Sequence, residues 1–319
     1  MDTIGAIAGN FLPVAKQVCM LFALMSVGFV CRKAKLVDEA AVKGMVNVLV
    51  LFVTPCLIIE CFQRPCDPAK LRSLAEAFAF SVAAHLALVA AALALYRGAA
   101  PDTRCVLRLA TVFSNAGFMG IPLEHALFGD EGVFYGIAYV VVFNLFIWSW
   151  GYAAMRRSGG RIDAKRLRTV CVNPGTVGLA IALPLFLFSA KLPDAVASPV
   201  SMMASMNTPL AMVVIGFYLA GARLGAVAAS RRAWLAAAMR LVVCPLAMTA
   251  VFASFGGRID RTMSLSLVTA AAAPVAAMVS MFASKFDRDI DASVGLVSGT
   301  TLLSIVTMPL AIAIAMAVL

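Results

Sequence analysis

Residues 114–122 read SNAGFMGIP, and they interrupt an apolar run that is otherwise long enough to span a membrane. Two glycines, a proline and an amide do not continue a regular helix, and irregular backbone at membrane depth must line a protein or water-filled cavity. A second apolar run, 265–283, is interrupted in the same way by Ala273-Pro274-Val275. Two broken helices at matching positions of two halves predict the binding site of a secondary transporter.

The composition of the chain is that of a membrane protein. Of its 319 residues, 62% are hydrophobic and only 13% are charged, and a helix needs about 20 mainly apolar residues to cross a bilayer. We therefore predict an all-α membrane protein with ten transmembrane helices. The predicted cores of these spans are 11–31, 44–62, 73–96, 105–127, 132–154, 174–190, 198–220, 233–255, 263–283 and 293–318.

The basic residues are divided unequally between the two sets of connecting loops. The loops after spans 1, 3, 5, 7 and 9 hold 18 Lys and Arg residues, whereas the other side, including Lys16, holds 7. Because Lys and Arg accumulate on the cytoplasmic side, we predict a multi-pass protein of the inner membrane with both termini outside. Basic loops on the cytoplasmic side, next to the membrane lipids, explain the net charge of +10. No nucleic-acid partner is implied.

An internal repeat supports the same architecture. Thr54-Pro55 in span 2 recurs as Thr208-Pro209 in span 7, an offset of 154 residues. The same offset carries Gly120 onto Pro274. Each repeat would hold five spans, and an odd number predicts a 5+5 inverted repeat with broken, crossing helices 4 and 9. The predicted units are a first repeat, 1–155, a basic cytoplasmic linker, 156–172, and a second repeat, 173–319.

Three stretches resemble the auxin efflux carrier family, which includes plant auxin exporters and bacterial organic-acid carriers. They are SNAGFMGIPLEHALFG at 114–129, FNLFIW at 143–148 and TLLSIVTMPL at 301–310. The resemblance implies a scaffold of spans 1, 2, 6 and 7, and a moving transport part of spans 3–5 and 8–10. It also implies that substrate is held where spans 4 and 9 cross.

The resemblance assigns roles to individual residues of this chain. Asn115 matches the amide that contacts substrate at the crossing, Pro274 matches the crossing proline of span 9, and Asn144 takes the place of a polar residue on span 5. One departure is Ser114, because the plant exporters have a proline at this position. The resemblance therefore implies a small organic anion other than auxin, such as malonate or malate.

Elementary chemistry at the break leads to a similar set of residues. Half-helices that start at a break direct free N–H groups and a positive dipole end towards the centre of the membrane, where they attract a carboxylate. An amide such as Asn115 both donates and accepts hydrogen bonds. We take Ser114 and Gly117 as further substrate-binding candidates on this basis. A second set of residues is interpreted as shaping the breaks and kinks: Gly120, Pro122, Pro55 and Pro209.

Five further polar residues in or near the spans are open to more than one interpretation. His85 and Glu76 in span 3 are candidates for proton coupling, although a histidine bonded across helices and a solvated glutamate are the alternatives. Glu124 with His125 is predicted either to line an access path or to form a solvated helix end. Arg240 in span 8 is predicted to extend to the headgroups, with substrate pairing as the alternative.

Other functional classes are less consistent with the sequence. The motifs of serine hydrolases, zinc proteases and phosphate-binding loops are missing from the sequence, so we predict neither an enzyme nor a cofactor or metal. A sodium-coupled carrier resembling bile-acid transporters and a passive anion channel stay as alternatives. Sodium needs several oxygen ligands, and 270–277 offers only backbone carbonyls, which favours proton or potential drive. A homodimer also stays open.

Overall fold

The computed structural model describes residues 3–156, 174–221 and 230–319. The regular structure in these ranges is helical, and seven helices in them are long and apolar enough to cross a membrane. The predicted class, an all-α membrane protein, is confirmed. Apart from Arg156, the predicted linker 156–172 lies outside the described residues. The seven long apolar helices are Gly5–Lys33, Glu39–Cys61, Pro68–Leu95, Ala116–Met155, Asp194–Leu219, Arg231–Ser254 and Ile290–Val318, and Gly175–Leu187 is a shorter one.

The helical segments are numbered here in chain order. They are α1 Thr3–Lys33, α2 Glu39–Val48, α3 Thr54–Cys61, α4 Pro68–Leu95, α5 Pro101–Val112, α6 Ile121–Phe146, α7 Tyr152–Met155, α8 Pro174–Leu187, α9 Asp194–Ser205, α10 Asn207–Leu219, α11 Arg231–Ala238, α12 Cys244–Ser254, α13 Arg261–Ala272, α14 Ala277–Lys285 and α15 Ile290–Val318. Wider π-helical turns join several of them: Leu49–Val53, Ala116–Gly120, Ile147–Gly151 and Met239–Val243.

Prolines account for most of these irregular turns. A proline ring clashes with the carbonyl four residues earlier and donates no hydrogen bond, and a wider turn relieves that conflict. Three of the π turns are followed within two residues by Pro55, Pro122 or Pro245. Near Pro209 the helix is interrupted instead: α9 ends just before Met206, and α10 begins just after it. The two Thr-Pro landmarks of the predicted repeat therefore both mark helix irregularities.

A single glycine joins the predicted spans 4 and 5. Gly129 has a φ of 63° and a ψ of −156°, so the helical path changes direction there, inside α6. A positive φ is readily accessible only to glycine. The predicted cores 105–127 and 132–154 are separated at this glycine, where two helices meet at a kink.

Helices α1 and α10 pack backbone against backbone. A Cβ atom added to Gly28 would lie 1.9 Å from the Val213 carbonyl oxygen, and one added to Gly216 would lie 1.8 Å from the Met25 carbonyl oxygen. Small residues allow this approach, which is the usual means of packing helices within a membrane. Arg32 extends the contact, because its guanidinium donates to the Phe217 carbonyl at 3.3 Å.

The apolar interior contains two main clusters. The larger one is centred on α4, α5, α6 and α13. The second lies where the two broken segments contact α1 and α10, and Met119, Leu123, Ala272 and Ala273 belong to it from the broken segments. The side chains that face them there include Val14, Val18, Leu21, Met25, Ala211, Met212 and Ile215. The breaks are thus covered by an apolar surface with few polar groups.

Candidate functional site

The two broken segments cross by pairing their extended backbones. Helix α5 ends at Val112 and α13 ends at Ala272, and the residues that follow form an isolated antiparallel bridge between Ser114 and Val275. The Asn115 N–H donates to the Pro274 carbonyl at 2.6 Å. The Ala276 N–H donates to the Phe113 carbonyl at 3.0 Å. Backbone groups freed by both breaks are therefore satisfied by each other, as irregular backbone in a membrane requires.

The pairing is reciprocal. Phe113 and Pro274 both act as acceptors, while Asn115 and Ala276 both act as donors. Phe113 and Pro274 therefore hold equivalent places in this bridge. Gly120, which the offset of 154 residues matches with Pro274, lies in the π turn after the crossing.

Further hydrogen bonds hold both breaks in place. The Val275 N–H donates to the Thr300 hydroxyl of α15 at 3.1 Å, and the same hydroxyl donates to the Leu296 carbonyl at 2.7 Å. On the other segment, the Asn115 carbonyl accepts from Met119 at 2.9 Å and from Gly120 at 3.2 Å. Asn115 thus opens the π turn that restarts the helix after the break.

Arg240 binds the ends of both helices that run into the crossing. Its side chain is fully buried. One guanidinium nitrogen donates to the Thr111 and Val112 carbonyls at 3.3 and 3.0 Å, and the other donates to the Ala271 carbonyl and to the Cys244 sulfur. The predicted position of this residue near the headgroups is wrong, because the planar donor set is used inside the protein.

The electrostatic balance at the crossing is positive. A helix carries a partial negative charge at its C-terminal end and a partial positive charge at its N-terminal end. Arg240 neutralises the C-terminal ends of α5 and α13, whereas the helical turns that restart at Ala116 and Ala277 present N-terminal ends. Among the described residues, no carboxylate forms an ion pair with Arg240. This arrangement favours an anion.

Asn115 and Ser114 have free hydrogen-bonding capacity at the crossing. The Asn115 side chain is 6% exposed, and within the described ranges its amide makes no hydrogen bond. The Ser114 hydroxyl is buried and has no partner there either. An amide and a hydroxyl that are not used by the protein supply donors and acceptors to a ligand. The structure therefore brings Ser114, Asn115 and Pro274 together, as the sequence predicted.

A group of buried polar atoms lies next to these residues. The Tyr139 hydroxyl interacts with Ser114 and Arg240 but has no hydrogen bond of good geometry among the described groups. His85 packs against the Tyr139 ring, with ring centroids 4.9 Å apart. Its Nδ1 lies 2.8 Å from the Ser81 carbonyl, and its Nε2 has no described partner. His85 is thus a neighbour of the crossing, which its position in span 3 could not reveal.

The remaining candidates from the sequence have different surroundings. The Asn144 amide nitrogen donates to the Val140 carbonyl of its own helix at 2.8 Å, and no described hydrogen bond links it to the crossing. Gly117 and Gly120 lie in the π turn, and Pro122 begins the helix that follows. A Cβ on Gly120 would meet Ala270 of α13 at 3.5 Å, so this glycine allows close contact between the two broken segments.

The two acidic candidates have different surroundings in the structure: Glu76 lies near the surface, and Glu124 is buried. Glu76 forms an i,i+4 ion pair with exposed Arg72 at 2.8 Å near the start of α4. Glu124 was interpreted as lining an access path or a solvated helix end, but it is fully buried and both carboxyl oxygens are without described partners. Its neighbour His125 is half exposed and lies 3.4 Å from Asp130.

A cleft of about 390 Å³ opens beside the crossing. It lies between α1, α3, α9 and α10 on one side and the first turns of α6 on the other. Its size suits a small molecule. Ile121 and Pro122, which follow the π turn directly, form part of its wall. The polar residues that line it are Gln17, Glu60, His125, Asp130, Ser201, Ser205, Asn207 and Thr208.

Metal binding is not indicated in the described parts of the chain. These ranges contain no group of three or more His, Cys, Asp or Glu side chains placed to hold an ion. The crossing is built instead from backbone amides, hydroxyls, one free amide and one buried guanidinium. Such a set of groups binds organic or inorganic anions.

The fold and the crossing define the class of protein as a multi-pass membrane transport protein. Residues 13–312 match the family described as "Membrane transport protein", so the chain belongs to this family, that of the auxin efflux carriers. The chain is also similar to an uncharacterized transporter of Methanothermobacter thermautotrophicus. The two are 24% identical over 307 residues, which cover 94% of this chain and 98% of the relative.

Proposed function

We propose that the protein is a secondary carrier that moves a small organic anion across the membrane by alternating access at the crossing. The observation that carries this proposal is the buried Arg240, which neutralises two helix ends and has no described carboxylate partner. An anion held at the N-terminal ends of the restarted helices, by Asn115, Ser114 and Gly117, completes the charge balance.

The proposed architecture has ten spans in a 5+5 inverted repeat. The reciprocal pairing of Phe113 and Asn115 with Ala276 and Pro274 supports it, because a twofold relation exchanges donors with donors and acceptors with acceptors. In this arrangement α5 with the start of α6 forms span 4, and α13 with α14 forms span 9. Both termini face the outer side of the inner membrane, in keeping with the distribution of Lys and Arg.

The proposed motion is elevator-like. The scaffold of spans 1, 2, 6 and 7 presents α1 and α10, which are fixed together by the glycine contacts at Gly28 and Gly216. The transport part presents the crossing. Between them lies the apolar cluster around Met119 and Ala272, and an apolar surface with few hydrogen bonds can slide at low cost. The cleft beside Pro122 is then an access route from one side.

The proposed substrate class is that of small carboxylates, and malonate and malate are the first probes. A ligand that binds the native state raises the melting temperature by mass action. We expect a carboxylate to stabilise the purified protein in a thermal-shift screen at two pH values, with and without sodium. Equal stabilisation of the protein by carboxylates and by neutral analogues such as malonamide would show that the anion assignment is wrong.

Sodium is dispensable in this proposal. No carboxylate is found among the described residues at the break of α13, where the sequence from Ala270 to Ala273 is apolar. We expect a pH gradient or a membrane potential to drive uptake into proteoliposomes in sodium-free buffer. Strict dependence on sodium would favour the alternative of a sodium-coupled carrier, and flux only down the substrate gradient would favour a channel.

A further inference from the structure

Glu124 is a buried carboxyl group without a hydrogen-bond donor. It lies in the first turn of α6, has no exposed surface, and neither of its oxygens has a partner among the described residues. The carboxyl lies directly on the backbone of Gly136, since a Cβ there would be 1.7 Å from Oε2. Two glycines therefore form its cradle, because Gly120 faces the other oxygen, Oε1, with its added Cβ at 3.5 Å.

Among the described residues, no positively charged side chain forms an ion pair with this carboxyl. The helices packed against α6 place their charged groups elsewhere: Lys70 of α4 pairs with Glu131 at 2.9 Å, and Arg261 of α13 donates to the Met316 carbonyl at 2.8 Å. On α3, Cys61 is a buried thiol. The other described titratable groups on α6 and on the helices packed against it are Lys16, Cys19, Cys31, Arg32, Lys33, Cys56, Glu60, Arg72, Glu76, His85, His125, Asp130, Tyr135, Tyr139 and Tyr218.

Burial without a donor or a cation has a direct chemical consequence. An ionised carboxylate is strongly disfavoured in such a place, so the group takes up a proton instead. Glu124 is thus a neutral carboxylic acid in this conformation. Water admitted to the carboxyl would allow it to ionise.

The position of Glu124 ties this proton to the crossing. Its carboxyl contacts Gly120, which ends the π turn that Asn115 opens, and the same Gly120 site contacts Ala270 of the other broken segment. The next residue, His125, already lines the cleft. A shift of the segment that opens the cleft further would therefore expose the carboxyl first.

We propose that Glu124 is the proton-binding site that couples anion movement to the pH gradient, with one proton bound and released at this carboxyl in each transport cycle. The inference rests on the proposed anion transport. The proton enters from the side to which the cleft opens, neutralises Glu124, and allows the carboxyl to be buried while the substrate is carried. On the other side Glu124 ionises and releases it.

The test compares Glu124→Gln with wild type in proteoliposomes, with radiolabelled malonate and malate as probes. The amide keeps the shape of a protonated carboxyl but cannot release a proton. We expect the variant to exchange internal for external substrate at a rate like that of wild type. We also expect it to lose the accumulation driven by an inward pH gradient, down to the level of protein-free liposomes.

Glu131→Gln, on the same helix, is the matched control. It neutralises a partly exposed carboxyl that is paired with Lys70, and accumulation should stay at the wild-type level. Accumulation by Glu124→Gln equal to that of wild type would overturn the inference. Loss of both exchange and accumulation would also overturn it, because that result assigns Glu124 a structural role. Sodium dependence that Glu124→Gln removes would also overturn the proton assignment. No transport by wild type of either probe would overturn the proposed function itself.

Discussion

Arg240 shows how one side chain determines the chemistry of the crossing. Its guanidinium has donors in a planar fork, which is the geometry needed to reach carbonyls on two different helices. Three carbonyl groups, of Thr111, Val112 and Ala271, depend on it. Because these carbonyls end α5 and α13, the same contact holds the two broken segments together and makes the crossing electropositive.

Removing this side chain should destabilise the protein strongly. Arg240→Met keeps most of the apolar stem but leaves buried carbonyls unpaired, at about 1–3 kcal/mol for each. We expect a clear fall in the melting temperature of the detergent-solubilised protein, measured by intrinsic fluorescence. Arg258→Met, at an exposed position, is the matched control and should melt like wild type. Equal melting of the two variants would show that Arg240 does not hold the crossing.

For single residues, the sequence predicted which residues lie at the break better than it predicted what each side chain contacts. Asn115, Ser114 and Pro274 could be placed at the break because the glycines and prolines that make the break are local signals. The carbonyl partners of Arg240 lie on other helices, more than a hundred residues away for Thr111. Whether such a residue points to headgroups, solvent or a neighbour depends on helix packing, which a single apolar span does not encode. Tyr139 and Thr300 were missed for the same reason.

The close packing of helix α1 on helix α10 can be tested by substituting a glycine at their contact. Gly216→Ala would place its Cβ 1.8 Å from the Met25 carbonyl oxygen, so the two helices must separate. We expect a lower melting temperature and reduced transport, measured on the same purified preparation. Gly44→Ala on α2 is the control, because nothing lies within 4 Å of the added Cβ. It should be neutral or slightly stabilising. A neutral Gly216→Ala would contradict the close approach.

Most helical elements were predictable, and the exceptions have physical causes. The predicted span at 263–283 agrees with α13 and α14, because both the apolar run and its proline are visible in the sequence. The predicted separation between the cores 105–127 and 132–154 agrees with the kink at Gly129, where two helices meet. The π turns were missed, although Pro55, Pro122 and Pro245 indicate where a helix has to widen.

The proposed orientation of the whole molecule rests on the distribution of Lys and Arg between the two sets of loops. We expect Gly5→Cys to react with an impermeant thiol reagent added to intact cells, and Gly98→Cys, in the turn between α4 and α5, to react only after the membrane is opened. Both positions are exposed. Labelling is measured above that of the parent protein, which has its own cysteines. The opposite pattern would invert the proposed topology and every statement about access.

The central claim for the whole molecule is that substrate is carried at the crossing, and sodium-free uptake of labelled malonate by Asn115→Ala tests it most directly. The variant removes a free amide from a nearly dry site, which should cost about 1–3 kcal/mol or a tenfold to hundredfold loss of affinity. Asn144→Ala, whose amide is bonded to its own helix, should lose less. We predict that wild type takes up malonate and that the Asn115 variant, folded and melting normally, does not. Normal uptake by Asn115→Ala would contradict the account.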